Sequence, residues 1–299
     1  MSLGSPQSLP PDVHPIPKTW RRVFWIGLLL YAISIVLTAL TANPHMFPTM
    51  ILLGNFLVPV TFLTFLYERS HLSALTFPQL LLCLFYGGVI GIFTAGFIEP
   101  LLMSHGATNF LATPTSRIGF TTALKVGLIE ELAKILAVIF VARRLHPRSQ
   151  LNGVLVGTAV GMGFAALESA GYSFAIFLDV FAKAGASPFT QETLAIFVTV
   201  MATAVRSLLT PFGHAVWTAI LTAVLFREST STRFRLTGPL VGTYLGVALL
   251  HGLWDNLPGL IPIPFVNLLP TIGVALAGIF ILKRVWRNSL HRASLSAYS

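Results

Sequence analysis

Eight apolar runs, each long enough to cross a bilayer, are separated by short polar turns and make up most of the chain. They lie at residues 23–42, 48–67, 78–98, 118–141, 152–177, 193–226, 240–257 and 265–283. A span needs ~20 helical residues to cross ~30 Å of hydrocarbon. In lipid every backbone group must be satisfied internally, so the choice is between helices and a closed barrel. The period-2 alternation of a barrel strand is absent from these runs. The pattern therefore predicts an all-α, polytopic transmembrane bundle of about eight spans. One membrane domain is expected over 20–286, after a Pro- and Ser-rich segment 1–19 read as a disordered tail, and before a basic tail 287–299. The first helix is expected to stay uncleaved, since no small-residue cleavage site follows the tail.

Composition agrees with the pattern. Hydrophobic residues are 55% of the chain and charged ones 10%, with a mean hydropathy of +0.80, which excludes an ordinary soluble domain. The net charge of +9 does not point to nucleic acid, because the basic residues gather in loops beside the spans. With both termini placed in the cytoplasm, fourteen of the nineteen Lys and Arg fall in cytoplasmic segments. Only Arg117 and Lys183 fall outside, and Lys125, Lys134 and Arg206 lie within spans. Such a bias sets orientation. It also favours a single crossing for 193–226, with a kink near Pro211 and Gly213, because two crossings would put Arg227, Arg233 and Arg235 outside. Gly153, Gly157 and Gly161 recur every fourth residue and make a smooth face for close helix packing. Cys83 sits in an apolar run and reads as a packing residue. The stretch 99–117 reads as an outer loop, either a plain connection or a lid.

Four polar islands interrupt the apolar pattern where charge is expensive. Glu130, Glu131 and Lys134 stand near the middle of the fourth span, with Lys134 one turn from both carboxylates. Glu168 follows Phe164 in the fifth span, about a turn or two towards the outside. His214 lies in the sixth, and His251 and Asp255 stand at i,i+4 in the seventh. At ~1.5 Å per residue Glu130, His214 and His251 fall at similar depth, so one polar cavity open to the outer side is permitted. Paired carboxylates held beside a lysine suit a base for water. Asp255 beside His251 would fix its tautomer. Each island also has a structural reading, as an ion pair or an interhelical hydrogen bond.

Several kinds of intramembrane protease are excluded by eye. There is no His-Glu-x-x-His, no Gly-x-Gly-Asp and no Gly-x-Ser-x-Gly. The Glu-Glu-x-x-Lys of Glu130, Glu131 and Lys134, the Phe-x-x-x-Glu of Phe164 and Glu168, the isolated His214 and the His-x-x-x-Asp of His251 and Asp255 occur in that order over 118–258. This set resembles the PrsW family, distant relatives of the CAAX prenyl endopeptidase and of bacteriocin-processing membrane proteases. The resemblance implies an intramembrane peptidase acting on membrane-anchored proteins at the outer side of a bacterial cytoplasmic membrane, the founding example acting on an anti-sigma factor. It implies catalytic roles for Glu130, Glu131, Glu168, His214, His251 and Asp255, supported by Lys134 and Phe164. Two departures stand out: Ser169 follows Glu168 where the family often has Asn, and Asn256 after Asp255 offers an amide donor instead.

A glutamate-type mechanism without a cofactor is the expected chemistry. Zinc is the alternative, with His214, His251 and Glu168 as its ligands. Outside proteolysis, a proton- or ion-coupled transporter would use the same carboxylate–His chain, although no repeat symmetry is seen. The expected partners are the bilayer and a membrane-anchored protein substrate, with no nucleic acid.

Overall fold

The structure, a computed structural model, describes residues 18–41, 43–103, 119–183, 188–230, 232–261, 263 and 266–297. The expected tail 1–19 lies almost wholly outside them. Among the described residues the chain is all helix, with no strand. In chain order the helices are α1 (Thr19–Thr41), α2 (Met46–Glu68), α3 (Phe77–Leu82), α4 (Gly88–Met103), α5 (Phe120–Ala142), α6 (Gln150–Lys183), α7 (Pro188–Glu228), α8 (Gly238–Asn256) and α9 (Leu268–Ala297). One π-helical turn, Cys83–Gly87, joins α3 to α4, so eight rods correspond to the eight apolar runs.

Six rods are long and apolar enough to cross a membrane by those criteria alone. The other two are α5 and α8, and the reason is chemical. Lys125, Glu130, Glu131 and Lys134 crowd α5, while His251, Asp255 and several glycines dilute α8. The chain is thus an integral, multi-pass membrane protein, and the two remaining rods carry two of the four polar islands.

Several boundaries differ from the sequence reading. Residues 99–103 are the last turn of α4 rather than loop, because the apolar run continues through Leu101, Leu102 and Met103 and proline is tolerated within membrane helices. The remainder of that segment, 104–118, lies outside the described residues. Pro188–Glu228 is one helix through Pro211. The basic segment after residue 286 continues α9 to Ala297.

Close packing is organised by small residues. A side chain at Gly153, Gly157 or Gly161 would come within 2.7, 2.5 and 2.6 Å of the carbonyls of Thr222, Thr218 and His214. The glycine stripe of α6 therefore lies directly on the backbone of α7. Likewise a Cβ at Gly163 would fall 1.8 Å from the Leu84 carbonyl, which seats the π-helical turn against α6. The buried core runs through Leu63, Leu84, Val138, Leu155, Trp217, Val247 and Val274, so α6 and α7 form the centre with α2, α5, α8 and α9 around them.

Candidate functional site

The polar islands meet at the centre of this packing. Each is delivered by a close helix–helix approach. Gly161 rests on the His214 carbonyl, and Thr218 Oγ1 donates to that same carbonyl at 2.7 Å. On the other side a Cβ at Gly127 would lie 2.5 Å from the Ala248 carbonyl and 3.1 Å from His251 Cβ, and one at Gly252 would lie 2.9 Å from Leu124 Cα. Glycines on both helices thus press α5 and α8 together around His251. The Tyr244 hydroxyl donates to the Leu128 carbonyl at 2.7 Å and pins the same pair.

Lys134 is the hub. Its Nζ donates to Glu131 Oε1 at 2.8 Å and Glu130 Oε2 at 3.1 Å, and lies 2.8 Å from His214 Nδ1. It also stands over the Phe164 ring, 4.2 Å from the centroid, a cation–π contact strengthened by the lack of water. An ammonium can only donate, so His214 Nδ1 accepts. The neutral ring then carries its hydrogen on Nε2, which faces Glu168 Oε2 at 3.2 Å. Glu130 Oε2 completes the convergence at 3.8 Å from His214 Nδ1 and 3.5 Å from His251 Nε2.

His251 is held differently from the sequence expectation. Its Nδ1 faces Glu131 Oε1 at 3.0 Å, whereas Asp255 Oδ2 stands 3.5 Å from Nε2. Glu131 is therefore the closer partner and sets the ring's orientation, and Asp255 shares the opposite edge with Glu130. Asn256 is the half-buried last residue of α8. Ser169 turns away from the cluster and shares a hydrogen bond with Thr210 of α7 at 3.0 Å.

Burial grades across the site. Glu131 and Lys134 are fully enclosed, and Glu130, His214 and His251 nearly so. The side chains of Glu168, Asp255 and Arg206 remain 16%, 25% and 26% exposed, which makes theirs the accessible edge of the cluster.

Three further residues belong to this neighbourhood. Arg206 Nη2 donates to Glu168 Oε2 at 3.0 Å while its guanidinium stacks over Tyr172 at 4.0 Å. The sequence signal was present, since an arginine inside a span asks for a partner. Trp217 is completely buried, with its ring 4.9 Å from that of His251 and 5.8 Å from that of His214. Glu99 carries no motif signal in the sequence, because it stands beside Pro100 where an apolar run is interrupted. Gly91 approaches Ala137, and Ala95 packs with Ala133 and Phe164. These antiparallel pairings bring Glu99, one turn further on, level with Glu130. Its Oε1 is buried without a hydrogen-bond partner, and its charge acts on Glu130, Glu168 and Asp255.

The donor set fits a metal ion. One oxygen of Glu130 and one ring nitrogen each of His214 and His251 lie within 4.8 Å of one another, and two imidazoles with a carboxylate are an adequate catalytic zinc set. The site is also rich in carboxylates: among the described residues Glu99, Glu130, Glu131, Glu168 and Asp255 gather around Lys134, Arg206 and the two histidines. Glu131 Oε2, buried and without a hydrogen-bond partner, adds an unsatisfied anionic oxygen. The group that closes is Glu130, His214 and His251, with Glu130 in the place expected of Glu168.

Comparison with known proteins agrees with this geometry. The family model described as PrsW family intramembrane metalloprotease matches residues 76–283, which take in every residue of the cluster and leave out α1 and α2. No curated protein and no solved structure matches the chain. With four polar islands gathered on four adjacent helices and the match spanning all of them, the chain belongs to the PrsW family of intramembrane proteases.

Proposed function

We propose that the chain hydrolyses peptide bonds of membrane-anchored protein substrates, with the Glu130 carboxylate at the centre of the chemistry. The observation that carries this reading is the convergence on Glu130 Oε2. Lys134 Nζ, His251 Nε2 and His214 Nδ1 lie 3.1, 3.5 and 3.8 Å from it. Glu131 is less suited to be the base, because it is fully enclosed, whereas Glu130 keeps a little exposure beside the accessible edge.

In the metal-free form Glu130 takes a proton from water as the oxygen adds to the scissile carbonyl carbon. The C–N bond then breaks and the proton passes to the leaving nitrogen, leaving a carboxylic acid and an amine. His251 and His214 stand where they can donate to the oxyanion or the leaving group. Lys134 holds the two carboxylates together, and Arg206 with His214 fixes Glu168. Bound by Glu130, His214 and His251, a zinc ion would supply Lewis-acid polarisation and an acidified water. Glu168, with its second oxygen outside the His214 and Arg206 contacts, is then the carboxylate left to take the proton.

The loop charge bias supports both termini in the cytoplasm, with the accessible edge of Glu168, Asp255 and Arg206 towards the outside, and the family resemblance supports a bacterial-type inner membrane. A proton- or ion-coupled transporter built on the same residues is disfavoured by the family match and by the absence of repeat symmetry in the sequence.

The test is purified full-length protein with a single-span substrate, analysed for new peptide termini with and without chelator. Cleavage that survives in demonstrably metal-free protein supports Glu130 as base. Cleavage lost on chelation and restored by Zn²⁺, with bound zinc lost in Glu130→Gln but kept in Glu168→Gln, selects the metal form. Proton-coupled solute flux with no new termini overturns the hydrolytic reading.

A further inference from the structure

A cavity of about 230 Å³ opens far from the polar cluster, between the start of α3 and the end of α5. Its apolar wall includes Leu82, Tyr86 and Phe140, and its polar rim is Gln79, Arg143 and Arg144. The cause lies in the packing of the π-helical turn. Gly88 and Leu84 are drawn against Gly163 of α6, so α3 packs on α6 and α2 and stands off from the end of α5. The extra residue in that turn swings Leu82 and Tyr86 outward, and they are 55% and 61% exposed. π-helical turns inside α-helices occur frequently at functional positions.

The rim is one-sidedly positive. Neither 76–86 nor 139–149 contains an Asp or Glu. Both Arg143 and Arg144 are exposed, and the Arg143 guanidinium is braced over the Phe140 ring at 4.2 Å. The polar turn before α3 is tied to the start of α6, where Ser73 Oγ donates to Asn152 Oδ1 at 2.7 Å, and the rim arginines stand at the end of α5, beside the polar turn that follows it. The cavity therefore sits at the membrane–water boundary, with apolar wall towards the hydrocarbon and guanidinium groups at headgroup level.

We propose that this cavity binds one anionic phospholipid, its phosphodiester on Arg143 and Arg144 and an acyl chain along Leu82, Tyr86 and Phe140. Guanidinium matches phosphate oxygens with paired hydrogen bonds, and basic pockets between membrane helices take anionic headgroups. At this depth the medium is lipid, so an acyl chain is the apolar group available to fill the wall. The inference is independent of the hydrolytic reading, since none of these residues touches the polar cluster.

Native mass spectrometry of the full chain, released from vesicles of equal phosphatidylglycerol and phosphatidylcholine, tests it. One phosphatidylglycerol should be retained with a preference of about 25-fold, each arginine contributing about fivefold. Arg143→Gln with Arg144→Gln should abolish the preference. Leu82→Trp, which fills the groove and leaves the charge intact, should reduce retention and covers the case in which the arginine variant misfolds. Arg284→Gln with Arg287→Gln, the same charge change on α9, should leave it unchanged. Equal retention of the two lipids, equal loss in the α9 variant, or displacement of the lipid by millimolar inorganic phosphate would each overturn the proposal.

Discussion

Helices α1 and α6 are both apolar and both long enough to span, yet they occupy opposite places in the bundle. The most hydrophobic stretch of α1 has a mean hydropathy of 2.4 and is 11% buried, while that of α6 has 1.4 and is 89% buried. The more apolar helix is the outer one. In water this ordering would be perverse, but lipid tails are as apolar as leucine, so hydrophobicity does not drive a helix inward. What places α6 at the centre is its run of small residues and the hydrogen bonds and charge pairs it helps to enclose. The periphery is defined by large side chains such as Leu40, 78% exposed, whose surroundings barely change on folding.

The comparison makes graded predictions. Lys134 joins two buried carboxylates and a histidine, so Lys134→Met leaves uncompensated charge at the centre. It should cost about 3–5 kcal/mol of unfolding free energy, as removal of one partner from a buried ion pair does, measured by detergent-denaturant titration. Next, Gly157→Leu on the central seam must push against the Thr218 carbonyl only 2.5 Å from its Cβ, and about 1–3 kcal/mol of destabilisation is expected. Gly246→Leu, where nothing lies within 4 Å, is the matched control and should be near neutral. Smallest is Leu40→Ala on α1, expected within about 0.5 kcal/mol of wild type because the side chain meets lipid before and after folding. A large loss from Leu40→Ala, or none from Gly157→Leu, would remove the distinction between the two regions.

Much of this arrangement was legible beforehand because lipid makes polar residues conspicuous. Glu130, Glu131, Glu168, His214 and His251 each cost too much alone to be lipid-facing, and mutual contact is the cheapest solution. The Gly153–Gly157–Gly161 stripe was readable for a related reason, since period four on a helix marks one face. Rotation and reach were not readable. The i,i+4 spacing of His251 and Asp255 suggested that they pair, but Gly127 and Gly252 bring α5 so close that Glu131 comes nearer to the ring than Asp255 does. Helix ends were missed where the chain stays helical beyond its apolar run, as at Lys183 and Ala297. Glu99 was lost at a boundary of another kind, because Glu99 and Pro100 interrupt an apolar run that resumes at Leu101 and stays helical to Met103.

The account depends most on the Glu130–Glu131 pair being the chemical centre of a peptidase. The direct measurement is cleavage of a single-span substrate by purified protein in vesicles, comparing wild type with Glu130→Gln, Glu131→Gln and both together. Glutamine keeps the shape and removes the basic carboxylate, so Glu130→Gln should lower kcat/KM by at least about 10²-fold, with the double variant lower still, while Cys83→Ala stays at the wild-type rate. Wild-type cleavage in the folded double variant would contradict the account.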